Sequence, residues 1–369
     1  MKKLHYFLAL LIITPMYAQT VSTWQDGTPD DGIAIDSNGN VYASNFTGDT
    51  VFKFDTDGNA TAFVNGLDTP NGLAFDSTDR LYICDWNANK ILRYNSNGTF
   101  DSEITITANP SGIIKAWDND DMIYTRFTGN TINRITPEGV ITEVSSDPLL
   151  NGPVGLAYDE TGRLFVGNYN NREVYEVLSN GDLVYIATVG ATGNLGFITY
   201  GQGVLWGTAF GEHKIYTIHP EGVDDTTVYA GSTAGNTDGA LSEATFTQPN
   251  GILFDPDGTT LYITDFGSKN LRLISDVTLG TQDISGKDFG LTLHPNPSKD
   301  TLHITARVQE ATNYSIVVYN ALGNQVHSEK VTAQGAILSV QVDVKAWASG
   351  VYWVELSNGK VTATQQLLR

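Results

Sequence analysis

An all-β fold, a six-bladed β-propeller, is predicted by three observations in the sequence. Six glycines, Gly32, Gly72, Gly112, Gly155, Gly196 and Gly251, recur at spacings of 40, 40, 43, 41 and 55 residues. That is the period of a propeller blade holding several short strands. Each glycine opens the same phrase: a short apolar strand, a turn rich in Asp, Asn and Gly, and a second strand ending beside an aromatic. The last repeat shows only three good strands, 251–254, 260–265 and 270–275, while residues 20–24, ahead of the first repeat, resemble the fourth strands at 60–65 and 140–144. The N-terminal strand is therefore expected to complete blade six, leaving no unpaired edge.

Taken in order, the chain opens with Met1-Lys2-Lys3, an apolar run at 7–13 and a small residue at Ala18. This reads as a signal peptide over 1–18, cleaved near Gln19. The run is shorter than the ~20 apolar residues of a spanning helix, and no other segment approaches that length, so no transmembrane segment is expected. Residues 19–275 form the propeller. In its second blade 72–76 is a buried strand, 77–80 a turn, 81–85 and 90–94 the next two strands and 99–106 the fourth. The acidic turns at 36–39, 159–162 and 255–258 lack EF-hand spacing and its terminal Glu, so they read as hairpins rather than calcium loops. Residues 276–288 have linker composition, and 289–369 form a separate strand-rich module. The single cysteine, Cys84, sits mid-strand among apolar residues and reads as a small core residue. A formal charge of −20 argues against nucleic acid and anionic lipid as partners. Cations or neutral ligands suit it better.

Function is sought where the repeats disagree. The residue before each repeat glycine belongs to one ring around the channel: Asp31, Asn71, Ser111, Val154, Leu195 and Asn250. Because the ring closes, Asn250, Asp31 and Asn71 come from neighbouring blades, and their hard oxygens suit Ca2+ or another divalent cation. The competing reading has the two asparagines bonding strand-start backbone. A second ring, Phe46, Trp86, Phe127, Tyr169, Phe210 and Phe266, follows strand two of every blade. It either packs between blades or lines a mouth that stacks a flat ligand such as a sugar.

The residues before those aromatics break symmetry: Asn45, Asp85, Arg126, Asn168, Ala209 and Asp265. Together with Trp86 the polar members are candidate ligand-binding residues. Arg126, the one cation among them, could neutralise Asp85 or anchor a ligand carboxylate, and Asp85 could equally cap turn amides. His213, in the strand two to three loop of blade five, is the candidate general base. The insertion at 230–247 is a lid over the channel or a structural connection. Nucleophile elbow, phosphate-binding glycine loop and zinc-protease helix are all missing from the sequence.

Two resemblances add to this. Leu293-His294-Pro295-Asn296-Pro297-Ser298, Leu302-His303-Ile304, Tyr319-Asn320-Ala321-Leu322-Gly323 and Ala348-Ser349-Gly350-Val351-Tyr352 resemble the C-terminal sorting domains of type IX secretion cargo. The resemblance covers 289–369. It implies a small C-terminal β-sandwich after the propeller, the type IX machinery as partner, and a secreted protein at the outer cell surface. Pro70-Asn71-Gly72-Leu73-Ala74-Phe75-Asp76, its counterpart from Gln248 to Asp255, and Tyr229-Ala230-Gly231 leading through Asp238-Gly239 to Glu243-Ala244 resemble NHL-repeat proteins and the gluconolactonase-like hydrolases. In those hydrolases the residues before the repeat glycines supply a metal site that polarises a lactone carbonyl. Here Asp31 stands where that family has Glu, and Val154 and Leu195 lack donors. Two functions are thus expected: a binding module taking a small molecule, glycan or protein at the channel face, or a metal-assisted hydrolase of lactones or esters.

Overall fold

Each repeat folds into a four-stranded antiparallel sheet. A computed structural model describes residues 19–279, 291–307, 313–333, 337–358 and 362–369; the expected signal peptide at 1–18 and most of the expected linker lie outside these. In blade two the inner strand Pro70–Phe75 pairs with Leu81–Asp85, followed by Lys90–Tyr94 and the outer strand Phe100–Thr105. The other blades repeat this order. The expected closure is present: Thr20–Asp26 pairs with Asn270–Ile274 and becomes the fourth strand of blade six.

The repeat glycine is explained by contact between blades. A Cβ at Gly32, Gly72, Gly112 or Gly251 would lie 2.5, 2.2, 1.7 or 2.2 Å from the carbonyl oxygen of Asn71, Ser111, Val154 or Asp31 in the next blade, so only glycine fits. A hydroxyl from strand two ties the same joint. Ser44, Thr208 and Thr264 donate to the carbonyls of Asn71, Asn250 and Asp31 at 2.7, 2.6 and 2.5 Å. Cys84, fully buried, holds the matching place in blade two.

Blade five departs from the expected register. Leu195 pairs with Ala209, as Pro70 pairs with Asp85 and Pro249 with Asp265. The ring residue of that blade is therefore Gly196, not Leu195, which is buried between blades four and five.

The core is divided into wedges, one at each seam between blades. The wedge between blades five and six holds Trp206, Phe246, Phe254 and Ile263; that between six and one is the thinnest, with Ile33, Val41, Ala43, Phe54 and Leu271. The acidic turns are structural hairpins. Asp76 and Asp159 each accept backbone amides two and four residues ahead and pair with Arg80 and Arg163.

The insertion at 230–247 is no lid. It adds Gly239–Ala240 as a fifth strand beside Thr20–Asp26. Asp238 accepts the amide and hydroxyl of Thr23, both at 2.9 Å. The fully buried Arg272 reaches Asp238 at 2.7 Å, the carbonyls of Thr245 and Thr237, and the face of Phe246.

In the tail a three-stranded sheet (Thr292–His294, Thr301–Arg307, Ile337–Asp343) and a four-stranded sheet (Gln325–Thr332, Asn313–Asn320, Val351–Ser357, Thr362–Leu368) enclose a core that includes Leu302, Ile304, Ile316, Val354 and Leu356. This is the β-sandwich the resemblance implied. Among the described residues no helix is long and apolar enough to cross a membrane.

Candidate functional site at the channel mouth

The aromatic residues after strand two form a closed collar. Phe46, Trp86, Phe127, Tyr169, Phe210 and Phe266, one per blade and all half-buried, touch their neighbours in turn with ring centroids 5.9, 6.1, 5.9, 5.8 and 5.5 Å apart, and Phe266 returns to Phe46 at 6.3 Å. Backbone bonds pin the collar in place. The amides of Trp86, Phe127, Tyr169, Phe210 and Phe266 donate to Thr69, Asn109, Gly152, Asn194 and Gln248 in the loop leading to each inner strand. In blade one the buried carboxylate of Asp30 takes over, accepting the amides of Phe46 and Thr47 and the hydroxyl of Thr47.

The ring of residues before the repeat glycines is buried: Asp31, Asn71, Ser111, Val154 and Asn250 all avoid solvent. Asn250 Nδ2 donates to Asp31 Oδ1 at 2.9 Å. Burial, and then the neighbouring charge of Asp30, push the Asp31 carboxyl well above the usual carboxylate range. Asn71 Oδ1 and Ser111 Oγ are buried without a hydrogen-bond partner. Tyr169 links collar and ring: its phenol is raised by burial and then by the charge of Asp31. Beyond the ring, the inner strands line an apolar space of about 200 Å³ with Leu73, Ile113, Leu156, Ile198 and Ile252 among its walls.

As a divalent site this ring is sparse. It offers one carboxylate, the orphaned oxygens of Asn71 and Ser111, and an Asn250 that turns its nitrogen to Asp31, while Val154 and Gly196 offer no side-chain donor. Ca2+ takes six to eight oxygens. Among the described residues no three His, Cys, Asp or Glu side chains form a metal cluster.

His213 is not placed as a general base. Its Nδ1 accepts the amide of Gln248 in blade six at 3.1 Å, so the basic lone pair is occupied and the ring proton sits on Nε2. Asn89 and Asn130 do the same for Asn109 and Gly152 at 2.8 and 2.7 Å. All three residues have left-handed backbone, with φ of 63°, 53° and 49°, so His213 is a blade-to-blade brace.

Three of the proposed ligand-binding residues also turn inward. Asp85, Asn168 and Asp265 accept the amides of Asp68, Asn151 and Thr247, each three residues before its ring residue. They hold the incoming loop of their own blade; Asp85 thus caps an amide at Asp68 and not those of the turn at 85–89. Asp265 is pushed up to about 6 by burial, against the amide of Thr247 and the charge of Arg272. Arg126 does not pair with Asp85. Its Nη2 donates to Tyr124 Oη at 3.2 Å, the guanidinium lies over the Tyr124 ring, and Nε is buried without a partner. Asn45 accepts the Thr47 hydroxyl at 3.1 Å. Of the polar set plus Trp86, only Trp86 belongs to the collar. Sequence reasoning passed over Asp30; the adjacent acids at 30–31 were its one visible signal.

Comparison with known proteins separates the two parts of the chain. Residues 292–368 match the family described as the secretion system C-terminal sorting domain. No curated protein matches the chain. Among solved structures, virginiamycin B lyase from Staphylococcus aureus aligns at 20% identity over 70% of this chain and 99% of the lyase, with a TM-score of 0.54. A gluconolactonase from Xanthomonas campestris aligns at 17% over 70% and 89%, TM-score 0.55. An auxiliary nutrient binding protein from Bacteroides thetaiotaomicron aligns at 14% over 70% and 76%, TM-score 0.60. At these identities the likeness is one of fold. The chain is thus a six-bladed propeller with the fold of these enzymes and binding proteins, and its residues 292–368 belong to the type IX secretion system C-terminal sorting domains.

Proposed function

We propose that this protein is exported by the type IX machinery through its tail, reaches the outer cell surface, and works there as a binding module whose propeller takes a ligand at the channel mouth. The observation that carries this reading is the closed, half-exposed aromatic collar, whose backbone is pinned in all six blades. Rigid aromatic walls give large contact area at little entropic cost. A brace at His213 and loop-holding roles for Asp85, Asn168 and Asp265 commit those four side chains to structural bonds, which favours capture over chemistry that would use them. The nutrient-binding neighbour is compatible with this reading.

The test is a ligand-observed NMR screen of small metabolites and glycans against the full chain and its Phe46→Leu variant. Hits that transfer saturation to the wild type and lose at least half of it in the variant are expected. Hits indifferent to the collar would sink the proposal.

A metal-assisted hydrolase of lactones or esters is a second reading, favoured by one observation: Asn71 Oδ1 lies buried and unpartnered on the ring that holds Asp31. Asp31, Asn71 and Ser111 would hold the ion, and the ion would supply Lewis-acid polarisation of the carbonyl. Calorimetric titration of the chelator-stripped protein with calcium decides it. One equivalent of binding that vanishes in Asp31→Ala supports this reading, and no heat from either protein removes it.

A further inference from the structure

The collar has a measurable bore. Around a closed circle of six, the distance from each member to the centre equals the distance between neighbours, so with centroids 5.5–6.3 Å apart every ring lies about 6 Å from the channel axis. Neighbouring planes are turned by 56–64°. In a six-fold ring, planes turned by about one-sixth of a full turn stand close to parallel to the axis, so the six rings are nearly upright staves.

That geometry bears on ligand size and charge. Attraction between a cation and an aromatic face acts within about 6 Å of the centroid. A bare ion on the axis would touch none of the walls, whereas the methyl shell of a quaternary ammonium fills the gap and meets several at once. Charges of both signs stand at the mouth: Arg126 packs on Tyr124 and Lys269 reaches Thr47, while the acids are the buried members. Asp30 and Asp31 are buried next to one another, Tyr169 couples electrostatically to Asp31, and the whole chain carries a formal charge of −20. Burial raises both carboxyls, a cost that a cation held above them relieves.

Building on the reading of the propeller as a binding module, we propose that the collar takes a small organic cation with a quaternary or methylated ammonium head, its charge on the channel axis within reach of Asp31. Such a ligand needs ring faces toward the bore. Edges toward the bore would favour a neutral group of the same shape.

Tetramethylammonium and tert-butanol, alike in shape and different in charge, make that distinction. Each is titrated into the full chain at constant ionic strength and followed by ligand-observed NMR. Tetramethylammonium is expected to bind at least tenfold more tightly than tert-butanol. Trp86→Leu is expected to weaken it at least threefold, and Asp31→Asn about tenfold, with tert-butanol changed less than twofold by Asp31→Asn. Trp86→Phe keeps a ring in place and is expected to stay within threefold of wild type, which controls for misfolding. Equal affinity for the two probes, lost together in Trp86→Leu, would overturn the cation and leave the binding module standing. Saturable binding of neither probe would overturn the cation, and a failed metabolite screen alongside it would overturn the module as well.

Discussion

Asn89, Asn130 and His213 stand at one place in three blades, and each gives a side-chain acceptor to a backbone amide in the next blade. Asparagine adopts left-handed backbone more readily than other non-glycine residues, because its short side chain bonds locally. His213→Asn is therefore expected to leave stability within about 0.5 kcal/mol, whereas His213→Ala, which strands the amide of Gln248, should cost about 1–2 kcal/mol. Thermal unfolding of the two variants checks this, and equal losses would mean the bond to Gln248 is idle. The sequence offered His213 as a base because a lone loop histidine shows its chemistry but not its partner, and that partner lies 35 residues away in another blade. The same limit hid the amides behind Asp85, Asn168 and Asp265. Asp31, Asn71 and Asn250 were legible as neighbours because blade symmetry alone places them.

The strand Thr20–Asp26 depends on partners far along the chain. Asp238 binds Thr23 on one side and the buried Arg272 on the other, so a single carboxylate fastens both the N-terminal strand and the insertion. Asp238→Ala would leave the fully buried guanidinium of Arg272 with backbone carbonyls and a distant Asp265 at 4.0 Å. A loss of about 2–4 kcal/mol is expected. Because the seam between blades six and one has the thinnest apolar wedge, the loss should appear first as faster amide exchange in Thr20–Asp26, measured by hydrogen-exchange mass spectrometry. Uniformly faster exchange across all blades would contradict this clasp. Strand order and closure could be read from the sequence because the period of the glycines exposes them. The slip in blade five could not: in Asn194-Leu195-Gly196-Phe197 a glycine falls one place early, and only the pairing of Leu195 with Ala209 reveals it.

Over the whole molecule, buried and hairpin carboxyls pull the pH dependence of stability in opposite directions. Burial alone would raise Asp36, Asp76, Asp159 and Asp255, but the bonds from their own turns outweigh it and hold them low. Their contribution is present above the ordinary carboxylate value and is lost as pH falls through their lowered one. Asp265, at about 6, runs the other way: its contribution is full below its unfolded value near 3.8 and is lost as pH rises through 6. Stability should therefore fall between pH 4 and 7. Asp265→Asn, which copies Asn168 of blade four, should shrink that fall by at most about 3 kcal/mol; unchanged melting curves across the range would remove Asp265 as its source. The collar shows what symmetry does and does not disclose at this scale. Six aromatics at one repeat position were visible in the sequence, but their closure into a circle depends on how near the inner strands come to the axis. That nearness is set by backbone against backbone, at Gly112 and its counterparts, where a single added carbon has no room. Side chains can therefore redecorate the bore without widening it, and divergence among proteins sharing these glycines would change what the mouth recognises at a fixed calibre.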